Sequence, residues 1–86
     1  MLATLRGRVR QVAGDHCILE VNGVGFQVLV PLRALEKLSQ AEGEVLLYTY
    51  LHHKEDSMTL YGFLDPEEKE LFTQMITVSG VGPKTA

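Results

Sequence analysis

Residues 1–63 read as short strands divided by turn signals, several with the period-two alternation of apolar and polar positions that buries one face. Leu5, Gly7 and Val9 alternate with Arg6, Arg8 and Arg10, which predicts a half-buried first strand with the arginines sharing one face. Residues 16–21 predict a second strand with Cys17, Leu19 and Val21 on one side. Asn22-Gly23 is a strong hairpin turn signal, after which Phe26, Val28 and Val30 line one face of a third strand. Pro31 ends that strand, and Leu32, Leu35 and Leu38 suggest a short helical turn. Ala41-Glu42-Gly43-Glu44 reads as a loop. A fourth strand is expected from Val45 to about His52, and a fifth from about Ser57 to Phe63. Five strands with a helical link between the third and fourth suggest a small barrel of the OB type.

The period then changes. Asp65-Pro66-Glu67-Glu68 is a helix start, with Asp65 as N-cap, Pro66 in the first helical position and acids following. Leu71, Phe72, Met75 and Ile76 fall on one face of that helix, and Gly80 stops it. The link from barrel to helix is very short, so the helix should pack against or close beside the barrel. The expected fold is mainly β: a five-stranded OB-type barrel over 1–63, followed over 64–86 by the start of an α-helical helix-hairpin-helix segment.

Composition narrows the class. Eighty-six residues make one small domain, or one domain and a piece of another. A hydrophobic content of 45% is ordinary for a globular domain and argues against disorder. Cys17 is the only cysteine, so no intrachain disulfide can form and a reducing compartment is expected. No apolar run approaches a membrane span, and the opening Met1-Leu2-Ala3-Thr4-Leu5-Arg6 lacks a secretory signal; a cytoplasmic protein is expected. The net charge of −3 argues against a plain DNA binder. Its distribution softens the objection, because Asp65, Glu67, Glu68 and Glu70 crowd one helix start, where they favour the positive end.

The richest chemistry lies in Val78-Ser79-Gly80-Val81-Gly82-Pro83-Lys84-Thr85-Ala86. One reading is a helix C-cap followed by an ordinary connection. The other is the turn of a helix-hairpin-helix: Gly80 and Gly82 leave backbone amides uncovered, Val81 tucks between helices, and Pro83 starts a second helix. That helix N-terminus and Lys84 would together hold a phosphate. The chain stops about one turn into this second helix, as expected of a fragment or a damaged chain.

Lys54-Glu55-Asp56-Ser57 marks the tip of the hairpin joining strands four and five. A polar surface turn is the simplest account. Nothing there would desolvate either carboxylate, so they do not form a general acid–base pair; as a device they would repel phosphates. His16-Cys17 and His52-His53 are strand neighbours that point to opposite faces and make no natural chelating pair, so no metal is expected. Tyr48, Tyr50 and Tyr61 suit either a stacking platform for single strands or packing and cross-strand pairing. No nucleotide-binding run and no nucleophile–base constellation is present, and neither catalysis nor a cofactor is expected of this chain.

The order of these parts resembles the N-terminal portion of the RuvA family, bacterial proteins that bind Holliday junctions. The resemblance rests on Leu5-Arg6-Gly7, Leu19-Glu20-Val21-Asn22-Gly23-Val24-Gly25-Phe26, Glu55-Asp56, Leu60-Tyr61-Gly62-Phe63, Leu71-Phe72 and Gly80-Val81-Gly82-Pro83-Lys84. It implies a homotetramer lying flat on four-way junction DNA and recruiting the hexameric ATPase RuvB, with the resolvase RuvC a further partner. It implies a role in branch migration, recombination, DNA repair and the SOS response. The family's acidic pin maps to Glu55 and Asp56, and its phosphate grip to Gly80, Val81, Gly82 and Lys84. A full member carries a second helix-hairpin-helix and a C-terminal RuvB-docking domain that are not in this sequence, so RuvB binding and full junction affinity are not expected of these residues alone. Two other readings remain: a module binding single strands through the tyrosine face, and an oligomerisation domain.

Overall fold

The computed structural model describes residues 1–79. Five strands, β1 (Thr4–Val12), β2 (His16–Val21), β3 (Val24–Leu29), β4 (Glu44–Lys54) and β5 (Ser57–Phe63), close into a barrel in the order β1-β2-β3-β5-β4. All neighbours are antiparallel except β3 and β5, which meet in parallel at Leu29 and Tyr61. Helix α1 (Leu32–Ser39) links β3 to β4, and α2 (Pro66–Ser79) follows β5. This is the expected mainly β, OB-type architecture.

Local signals place the strands. Asn22 and Gly23 take φ of 50° and 87°, the left-handed pair of a two-residue turn whose twist matches its flanking strands. Leu5, Cys17, Leu19, Val28, Leu47 and Leu60 fill the interior. Burial pushes the Cys17 thiol up from its ordinary value, which suits an inert core residue. Gly7 faces inward where β1 crosses β2 so closely that a Cβ would lie 2.2 Å from the Glu20 carbonyl oxygen. The fully buried Thr49 donates its hydroxyl to the Leu2 carbonyl at 2.7 Å, and its amide bonds the Ala3 carbonyl at 2.8 Å, tying the N-terminal residues to β4.

The strict alternation of β1 breaks at Arg10. Val9 pairs with Leu19 and Val12 with Cys17, so the register shifts between Val9 and Gln11. The bulge lets two valines three positions apart both face the core. Strand β4 also runs further than the expected end near His52, to Lys54.

Both helices bury a narrower stripe than their apolar pattern suggested. Helix α1 is a full eight-residue helix rather than a single turn, and it buries Ala34, Leu35 and Leu38. Leu32 lies off that stripe and is 80% exposed. Helix α2 opens as expected, with the Glu68 amide donating to Asp65 Oδ1 at 2.9 Å. Phe72 and Ile76 are half-buried, whereas Leu71 and Met75, one row round, are exposed. An Arg33–Glu68 ion pair joins the two helices. Leu32, Leu71 and Met75 rim an open apolar groove of about 1210 Å³ between them.

Candidate nucleic-acid interface

The β4–β5 hairpin leaves the barrel as an arm. Beyond the interior pair Leu51–Leu60 come the pairs His52–Thr59, His53–Met58 and Lys54–Ser57. Three further pairs carry the tip about 10 Å outward. Glu55 and Asp56 form the two-residue turn at its end, and every residue from 53 to 58 is exposed. Neither turn residue takes a positive φ, so no glycine is needed and side chains of any size fit there. Among the described residues neither carboxylate is held in an ion pair or side-chain hydrogen bond. Two adjacent, solvated and unpaired negative charges therefore project at the far end of the arm, offset in part by Lys54.

The arginine row on β1 is exposed on one face, but acids answer it. Arg10 Nε donates to Glu20 Oε1 at 2.6 Å. That hydrogen bond, with the Arg10 charge and a smaller contribution from Arg8, holds the Glu20 carboxyl below its usual range. Arg8 also stands directly opposite Glu20 on one neighbouring strand and Glu44 on the other. This arrangement makes a cross-strand charge ladder more than a free basic surface.

The tyrosines are not an open stacking platform. Tyr50 and Tyr61 are directly opposed across β4 and β5, as are Tyr48 and Phe63. Phe72 of α2 caps the cluster, its ring centroid 5.0 Å from Tyr61, 5.1 Å from Phe63 and 6.0 Å from Tyr50. Tyr61 is only 8% exposed, and burial raises its phenol above the ordinary value. Tyr50, Tyr61 and Phe63 dock a helix instead, which weakens the case for a single-strand binding module. Sequence reading missed this clamp because its partners lie on three elements; the alternating aromatics of β4 and β5, set against Phe72, were the available signal.

The expected phosphate-gripping residues Gly80, Val81, Gly82 and Lys84 lie outside the described residues. No group of three or more His, Cys, Asp or Glu suited to a metal ion occurs among the described residues, and none of their helices is long and apolar enough to cross a membrane.

Residues 1–62 match the family model described as RuvA N terminal domain. Across all 86 residues the chain is 46% identical to the Holliday junction branch migration complex subunit RuvA of Chloroflexus aurantiacus, covering 44% of that protein. It is 45% identical to the subunit of the same name from Chlorobium luteolum and 44% to that from Acetivibrio thermocellus, over all 86 residues and covering 43% of each. The chain thus spans less than half the length of these curated relatives. This match settles the family: the chain belongs to the RuvA N-terminal domain family.

Proposed function

We propose that this chain is the junction-engaging part of a subunit that binds four-way DNA during branch migration. The observation that carries the reading is the arm of β4 and β5, which ends in the unpaired carboxylates of Glu55 and Asp56 in a chain of this family. Four copies around a symmetric centre would set a ring of negative charge at the crossover. That ring repels the phosphates of the exchanging strands and keeps the crossover open. The attraction is supplied at the rim, where the amides of Gly80, Val81 and Gly82 and the ammonium of Lys84 grip backbone phosphates of each arm. Recognition is then of shape, with little sequence preference and strong salt dependence. The functional division falls at 63/64, with the barrel carrying the pin and the following segment the grip.

The subunit performs no chemistry of its own; an ATPase partner of the RuvB kind supplies the work, in the bacterial cytoplasm, engaging the portion that the longer relatives carry outside the matched span. Gel shifts with four-way, duplex and single-stranded DNA test the reading, on the chain alone and on the chain extended through the portion its relatives carry. A preference for the four-way junction by the extended protein is expected. Equal affinity for junction and linear duplex would overturn it.

A further inference from the structure

The inward-facing row of β4 and β5 does not stop where the barrel stops. Leu51 and Leu60 are its last enclosed pair, and the next pair on the same face is His53 and Met58, directly opposite one another. Both are exposed, Met58 to 64%. A single exposed methionine is ordinary on a protein surface. This one sits beside an exposed imidazole, on a projecting arm, with only the Lys54–Ser57 pair between it and the carboxylates of Glu55 and Asp56. The anionic tip turns phosphates away, so the part of a nucleic acid that can lie against this face is the base. An imidazole plane offers a stacking surface for a base π-face. A thioether is unbranched and polarisable, and methionine is among the side chains that wedge between base steps.

We propose that His53 and Met58 form a base-contacting ledge that holds an unstacked base at the crossover once the acidic tip has parted the backbones. The inference rests on the junction-binding reading above and adds the ligand of the arm: a nucleobase, where that reading concerns phosphates alone.

The test uses the extended protein and a synthetic four-way junction carrying 2-aminopurine at the crossover, with a second junction labelled in mid-arm as control. The expected result is a fluorescence change on saturation at the crossover and not in the arm. That change falls at least threefold in the His53→Ala/Met58→Ala double variant and is kept by Met58→Leu. The concentration for half-saturation moves less than twofold, and the melting temperature of the variant stays with the parent because both side chains are exposed. Peroxide footprinting gives a second readout: Met58 is protected at least threefold in the complex, while Met1, 99% exposed, is oxidised at its free rate. Junction binding without a crossover signal, or a signal unchanged in the double variant, overturns the ledge and leaves the junction reading standing. Loss of junction preference in the parent overturns both.

Discussion

The ring of Phe72 lies 5.0 Å from that of Tyr61, and through this contact α2 is fixed to the barrel. The same ring touches Phe63 and Tyr50, so one side chain holds three barrel aromatics. Phe72→Ala is expected to cost about 2 kcal/mol, below the roughly 3–5 of a fully enclosed phenylalanine because Phe72 is only half-buried. Chemical denaturation measures the loss. Uncovering Tyr61 should also bring its phenol back toward 10, readable by ultraviolet titration. An unchanged Tyr61 titration in the variant would show that the helix does not shield it.

Gly62 lies on β5 against side chains of β3 and β4 in the barrel interior. A Cβ there would lie 2.6 Å from Val28 Cγ1 and 3.3 Å from Leu47 Cδ1, inside a filled barrel. Gly62→Ala should destabilise by about 1–3 kcal/mol through overpacking. Adding Val28→Ala makes room, so the double variant should be more stable than the sum of the single losses implies. Strict additivity in equilibrium unfolding would count against this steric account.

The Arg10–Glu20 pair gives a pH dependence of known sign. The carboxyl is held low in the folded chain, so the unfolded chain binds the proton more readily as pH falls through the ordinary value of 4.5. Stability from this pair is present above that value and is lost as pH drops toward the lower folded one. Both side chains are exposed, so the effect is small and screened by salt. Melting temperatures between neutral and acid pH should fall less steeply for Glu20→Gln than for the parent at low ionic strength. Equal slopes would show that the pair is not formed in solution.

At the start of α2, Asp65→Ala removes the oxygen that accepts from the Glu68 amide. The expected cost is about 1 kcal/mol, and Asp65→Asn, which keeps an acceptor, should lose much less. Thermal melts followed by helix signal decide it; equal losses in the two variants would mean that the negative charge matters more than the hydrogen bond.

What was legible in the chain is what local chemistry controls. Asn22-Gly23, Pro31 and Asp65-Pro66 each announce a boundary through their own backbone preferences, and the alternating residues between them announce strands. The bulge at Arg10 was not legible, since it depends on Val9 and Val12 meeting Leu19 and Cys17 on another strand. Nor were the exposures of Leu32, Leu71 and Met75: periodicity marks apolar positions and not which of them a neighbour covers. The acidic tip could be read because two acids stand between two strands. The His53–Met58 ledge required the register of β4 against β5. Residues 80–84 are legible as a motif and lie outside the described residues.

Lys84 makes the rim contact testable through salt. Each phosphate neutralised by a cation releases condensed counterions, so log affinity falls linearly with log salt, by close to one unit of slope per contact. In the extended protein Lys84→Ala should weaken binding to junctions of every sequence alike and flatten the slope by about one unit. A slope equal to the parent's would remove Lys84 from the phosphate contacts.

The pin makes the opposite prediction. If Glu55 and Asp56 act by rejecting phosphates, neutralising them removes a repulsion and takes nothing from the grip. Glu55→Gln with Asp56→Asn should therefore leave junction affinity in the extended protein unchanged or tighter. The gain should shrink as salt rises, since exposed charges are screened within about 8 Å at physiological ionic strength. The fold is unaffected, because both side chains are solvated and unpaired at a turn that accepts any residue. Gel shifts across a salt series give the answer. A collapse of affinity in the amide variant would mean that the carboxylates make an attractive contact, and the strand-parting role of the arm would fall with it.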